Sequence, residues 1–234
     1  LMQAPKNGFF YVIDRTNGEF LSAENYVKVT WASKVDPETG RPEKIDLGDY
    51  ETSLKLVFPG ALGGHNWMPM SYNPETGLVY IPAQELYMPF AKDNNYEYDE
   101  GGWNTAGDIT VLAPPKNLLQ LSLLARSVRG RLSAWDPVQQ KEVWKQYLTL
   151  PWNGGVLSTS GNLVFQGTSD GDLVAYDAQT GEKKWSKDLQ TGIVAAPITY
   201  SIDGKQYVTV VAGYGGVFAL QAGLPPKNSG GPIN

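Results

Sequence analysis

The sequence predicts an all-β fold built from four-stranded blades, and three observations carry the prediction. The 234 residues include 26 Gly, 16 Pro, 13 Tyr and 7 Trp, a composition suited to short strands and tight turns rather than helices. Two segments, GRLSAWDPVQQKEVWKQ from Gly130 and GDLVAYDAQTGEKKWSKD from Gly171, align 41 residues apart. Each reads as strand, Asp-led turn and strand. A period of ~40–45 residues with Trp and Asp-turn signatures marks the blades of a β-propeller and argues against a sandwich.

The elements follow in chain order. NGFFYVIDRTNGEFLSA is a further copy of the repeat, with Asp14 and Gly18 where the later copy has Asp177 and Gly181. WMPMSYNPETGLVYIPA, the shorter VLSTSGNLVFQGT and AAPITYSIDGKQYVTVVAG read as hairpins of a second type. Alternating the two types builds four-stranded antiparallel sheets. One blade ends near Lys28, a second covers 65–147, a third 150–189, and a fourth starts at Gln190, about three and a half blades in all. The fourth reaches only its third strand, 215–222, so its outermost strand is expected from elsewhere. We divide the chain into a propeller segment, 1–222, and a Gly- and Pro-rich tail or linker, 223–234.

Two stretches, 29–60 and 85–129, break the period. The second holds AKDNNYEYDEGGW and a leucine-rich run, Leu118 to Leu124, that suits a short helix or a cover over a neighbouring surface. Insertions of this kind are commonly rim loops. An isolated set of blades leaves sheet edges exposed, so closure is expected from more chain, upstream of the apolar start, or from a second copy.

The formal charge is -5, from 24 acidic and 19 basic residues. No window concentrates Lys and Arg for phosphate contacts, which argues against nucleic acid as a partner. No run reaches the ~20 apolar residues of a membrane span. With no cysteine, the chain offers no disulfide, thiolate metal site or covalent c-type haem attachment. His65 is the only histidine, so a Ser-His-Asp triad with its usual base is not expected, and we read His65 as a rim or turn residue. Asp14, Asp136 and Asp177 sit at turn positions where Asp bonds its own backbone. Trp144 and Trp185, at matching places in two repeats, are expected to pack between blades, burying ~150–250 Å² each.

PKNGFFYVIDRTNG, PGALGGHNWMPMSYNPETGLVYIPA, GRLSAWDP, PWNGGVLSTSGNLVFQGTSDGDLVAYDAQTG and VVAGYGGVFAL, in that order, resemble the second half of the quinoprotein alcohol dehydrogenases, above all the soluble quinohaemoprotein type. The resemblance implies part of an eight-bladed β-propeller that binds pyrroloquinoline quinone (PQQ) near its axis with Ca²⁺. It assigns four cofactor-binding positions. Lys6, in PKNG, would point at the quinone oxygens, where a fixed ammonium stabilises developing negative charge. Asn66 and Trp67, in GGHNW, would contact the cofactor, with Gly63 and Gly64 allowing close backbone approach. Val217, in GYGGVF, would touch it near the propeller's end, with Gly215 and Gly216 allowing the same. Trp152 and Asn153, read as the start of an axial strand, either line the same cavity or pack.

The resemblance places the catalytic base and the calcium ligands upstream of Lys6, so no catalytic and no metal residue is assigned in this segment. It implies an alcohol substrate, the remaining half of the propeller as a partner, and a cytochrome or haem-domain electron acceptor, with a c-type haem in a separate domain. It also implies a periplasmic location. The alternative is a non-catalytic propeller that serves as a protein-binding scaffold in envelope assembly. The motifs PKNG and GGHNW, which packing does not demand, favour the enzyme.

Overall fold

The computed structural model describes residues 1–46, 49–102, 104–113, 117 and 128–213. They form two compact units: residues 1–64 with 85–128, and residues 65–84 with 129 onwards.

In the first unit, β1 (Met2–Gln3), β2 (Phe9–Ile13) and β3 (Phe20–Asn25) form an antiparallel sheet. β4 (Ala32–Val35) and β5 (Pro42–Lys44) make a hairpin. Phe9, Ala32 and Val35 form a small core against which Tyr11, Phe20, Val29 and Trp31 pack. The two stretches that break the period belong to one structure: β6 (Lys55–Val57) from the first pairs antiparallel with β9 (Met88–Phe90) from the second. Aromatic contacts accompany the pairing, Tyr50 with Phe90 and Phe58 with Tyr87. A 3-10 turn, Ile109–Leu112, follows, capped by Asp108.

The second unit contains two four-stranded sheets, each ordered along the chain. β7 (Ser71–Asn73), β8 (Leu78–Glu85), β10 (Arg129–Asp136) and β11 (Lys141–Leu148) make one. β12 (Val156–Ser158), β13 (Leu163–Gly167), β14 (Asp172–Asp177) and β15 (Lys183–Asp188) make the other. A two-stranded hairpin, β16 (Ile198–Ile202) and β17 (Lys205–Thr209), follows, its two-residue turn held by positive φ at Asp203 and Gly204 as tight hairpins require. These boundaries fit the predicted blades 65–147 and 150–189. The expected strand 215–222, the leucine-rich run, Val217 and the tail 223–234 lie outside the described residues.

The repeat extends to fine backbone detail. In β2–β3, β10–β11 and β14–β15 the register shifts at the same place, between the second and first residues before the turn Asp: Val12/Ile13, Ala134/Trp135 and Ala175/Tyr176. The turn Asp then accepts from the backbone two residues on, Asp14 from Thr16, Asp136 from Val138 and Asp177 from Gln179. Asp36 and Asn73 open turns of the same design. In four of the five, a glycine with positive φ takes the fifth place: Gly18, Gly40, Gly77 and Gly181; Gln140 takes it in the other, at φ 51. These carboxylates are structural, as their turn positions predicted.

One core joins the two sheets of the second unit. Leu78, Tyr80, Leu132 and Ala134 from the first sheet pack with Val156, Val164, Val174, Tyr176 and Ala178 of the second. Each fully buried aliphatic side chain of such a core contributes about 1.5–3 kcal/mol. Strands β10 and β14 are buried along nearly their whole length, and Leu132, Ala134, Val174 and Tyr176 from them lie in this core. Trp144 packs on this core, as expected of an inter-blade residue. Trp185 does not follow it: 49% of its surface is exposed, on a strand exposed throughout. The two share a position in the repeat, but burial depends on whether another sheet lies against that face. Trp152 and Asn153 also depart from expectation, since the strand they were to begin starts at Val156.

Candidate functional site

Lys6 stands in a turn between β1 and β2 whose backbone is gripped on every side. The Pro5 carbonyl accepts from the Tyr26 hydroxyl at 2.8 Å and from Gly8 N–H at 3.4 Å. The Lys6 carbonyl accepts from Gly64 N–H at 3.1 Å, and the Gly8 carbonyl from Tyr26 N–H at 3.0 Å. The Asn7 carbonyl accepts from the indole N–H of Trp31 at 3.1 Å, while the Asn7 side chain caps Phe9 N–H and donates to the Tyr11 hydroxyl. All four carbonyls of the PKNG motif are thereby paired, as buried backbone requires. Lys6 itself is exposed, and no hydrogen bond or ion pair ties its ammonium among the described residues.

The glycines of the second motif serve this turn. A Cβ on Gly63, whose φ is +82, would fall 2.6 Å from Lys6 Cβ, and one on Gly64 would fall 2.5 Å from Val27 and 2.9 Å from the Tyr26 hydroxyl. The close approach expected of a ligand is made by the protein's own Lys6 and Tyr26. Local packing by itself requires a residue without a Cβ at both positions.

In the second unit, His65 is buried and its Nε2 lies 2.6 Å from the Met68 carbonyl, a turn role as predicted. Asn66 Oδ1 accepts from the backbone N–H of Trp67 at 2.9 Å, which orients the amide. Met68 is buried, whereas Trp67 is 55% exposed. Anchored on either side, the turn displays a large aromatic face to solvent. Asn66 and Trp67 are thus brought together; Lys6 belongs to the other unit, and Val217 lies outside the described residues.

Trp152 and Asn153 are both buried. Asn153 donates to the Leu150 carbonyl at 2.7 Å and accepts from the backbone and hydroxyl of Ser169. The amide joins two loops of the blade, which favours the packing reading for Asn153. Among the described residues, no group of three or more His, Asp or Glu side chains could hold a metal ion, and no helix is long and apolar enough to cross a membrane.

Sequence reasoning missed Tyr26 and Trp31, which hold the Lys6 turn from 21 and 24 residues away; neither occupies a repeat position that would have drawn attention.

Four-stranded antiparallel sheets stacked through a shared core, with Asp-led turns, define a segment of a β-propeller. The chain belongs to the PQQ family described as the glucose/ethanol/alcohol dehydrogenase β-propeller domain, which matches residues 48–208. It is 47% identical over 242 aligned residues to the quinohemoprotein alcohol dehydrogenase of Comamonas testosteroni, covering 100% of this chain and 33% of that protein. The solved quinohemoprotein alcohol dehydrogenase ADHIIG of Pseudomonas putida HK5 is 44% identical with a TM-score of 0.87, over 96% of this chain and 34% of its own. A europium-containing methanol dehydrogenase is 30% identical with a TM-score of 0.78, over 96% of this chain and 38% of its own. The chain spans about a third of the length of the curated relatives it matches.

Proposed function

We propose that the native protein oxidises alcohols with PQQ and a metal ion, and that this chain forms part of the cofactor wall through Lys6, Asn66, Trp67 and Val217. The observation that carries the reading is the Lys6 turn, where every backbone carbonyl is bonded and the ammonium is left exposed. When bound, the quinone supplies a carbonyl carbon that takes hydride from the alcohol. Lys6 would hold a positive charge toward the quinone oxygens, and preorganised charge of this kind would stabilise developing negative charge more strongly than solvent does. Trp67 offers a flat apolar face, and Asn66 an oriented amide for a carbonyl or carboxylate.

The general base and the ligands of the metal, Ca²⁺ in this reading, belong upstream of Lys6. In this reading residues 1–222 belong to the propeller segment and 223–234 to a tail or linker, with the remaining blades completing the ring. The electron acceptor is a cytochrome or a haem domain, and the protein works in the periplasm. Family membership and the names of the relatives support an enzyme over an assembly scaffold.

The test is reconstitution of the native protein with PQQ, comparing Ca²⁺ with europium and wild type with Lys6→Ala and Lys6→Arg. Lys6→Ala should lower kcat by about 100-fold, in the range found for loss of one charge-stabilising donor, and Lys6→Arg should restore part of it. Unchanged turnover and cofactor affinity in Lys6→Ala would remove the assigned role. An intact mass near 25.6 kDa for the native polypeptide would instead favour self-association.

A further inference from the structure

We propose that Tyr26 and Trp31 are positioning residues that hold Lys6 in its working place; the inference rests on the reading of Lys6 as a cofactor contact. A lysine side chain turns about four bonds, so the reach of its ammonium depends on how firmly its Cα is held. The turn's own closing bond does little: Gly8 N–H to the Pro5 carbonyl is 3.4 Å, beyond the usual 2.7–3.2 Å of a strong N–H···O bond.

The firm bonds come from outside. Tyr26 takes both ends of the turn, giving its hydroxyl to Pro5 at 2.8 Å and its N–H to Gly8 at 3.0 Å. Trp31 takes the middle through Asn7 at 3.1 Å, and its ring is set edge-on against Phe9 with centroids 6.1 Å apart. Gly63 closes the turn from the Lys6 side, since even a Cβ there would strike the Lys6 backbone. Tyr26 is 1% exposed, a burial that phenylalanine would fill without a polar atom. Its hydroxyl therefore acts on the Lys6 turn. A shift of the order of 1 Å in a charge-stabilising group is enough to affect catalysis strongly.

A double-mutant cycle separates positioning from simple support. Apoprotein carrying Tyr26→Phe, Lys6→Ala or both is dialysed to equilibrium against PQQ, and kcat is then measured on the loaded enzyme. Tyr26→Phe should weaken PQQ binding about threefold to tenfold, as expected for one hydrogen bond, and should have almost no further effect once Lys6 is Ala. Trp31→Phe should behave alike and covers the case in which Tyr26→Phe does not fold. An equal effect in both backgrounds, or none with Lys6 present, overturns the positioning role while leaving Lys6 as a contact. A Lys6→Ala protein that binds PQQ and turns over like wild type overturns the Lys6 reading and the positioning role with it.

Discussion

Trp144 donates its indole N–H to the carbonyl oxygen of Ala178 at 3.0 Å, joining the β10–β11 hairpin to the Asp177 turn of the next sheet. The same carbonyl accepts from the Tyr80 hydroxyl at 3.0 Å, and the two rings lie 5.8 Å apart, centroid to centroid. Ala178 is fully buried, so its carbonyl depends on these donors.

The first prediction follows from that dependence. Trp144→Phe and Tyr80→Phe should each lower unfolding free energy by about 1 kcal/mol for the hydrogen bond, with a further loss of contact area for Trp144. The double variant should lose more than the sum, because stranding a buried acceptor costs about 1–3 kcal/mol. Urea unfolding of the four proteins measures the coupling; strict additivity would contradict the shared-acceptor account.

A second prediction concerns two glycines with the same backbone. Gly18 has φ +81 and Gly181 φ +73, but an added Cβ at Gly18 meets nothing within 4 Å, whereas at Gly181 it falls 2.6 Å from the Trp144 ring. Gly18→Ala should cost about 1–2 kcal/mol for left-handed backbone alone. Gly181→Ala should cost about 1–3 kcal/mol more, from overpacking. Melting temperatures of the pair give the difference directly.

The turn carboxylates set the acid limb. Asp14 is held below the ordinary value of 3.8 chiefly by the Thr16 hydroxyl, and Asp36 and Asp177 chiefly by the backbone N–H groups of Glu38 and Thr180. A depressed carboxyl contributes stability that is present above its unfolded pKa and is lost as pH falls through the folded one. Melting temperature should therefore hold through neutrality and decline below about pH 4. Replacing all three by Asn, as Asn73 already stands in its turn, should flatten that decline.

The alkaline limb has a different source. Burial pushes the Tyr176 phenol up to about 12, with the charges of Asp170 and Asp172 adding to the shift. Its folded pKa is raised, so its contribution is complete below the unfolded value near 10 and is lost as pH rises through about 12. Absorbance titration should show one late-ionising tyrosine fewer in Tyr176→Phe.

Much of this was legible in the chain. The 41-residue spacing, the Asp-led turns and the alternating hairpins are local patterns, since a turn's hydrogen bonds run between residues two to four apart. The bulge before each Asp recurs for the same reason. The motifs carrying Lys6 and Trp67 stood out because they fall outside the repeat, although the structure shows that local packing requires Gly63 and Gly64.

What the chain left open depends on partners distant in sequence. Three-residue strands such as β6 and β9 carry too little pattern to reveal each other, and only folding brings Lys55 opposite Phe90. Tyr26 and Trp31 became relevant once their donors met the carbonyls of residues 5 and 7. Trp144 and Trp185 make the point most directly. The sequence by itself determined that both occupy one place in a repeated hairpin, because hairpin register is local. Which of them is covered was decided by tertiary structure alone, because burial belongs to the sheet that lies against a residue.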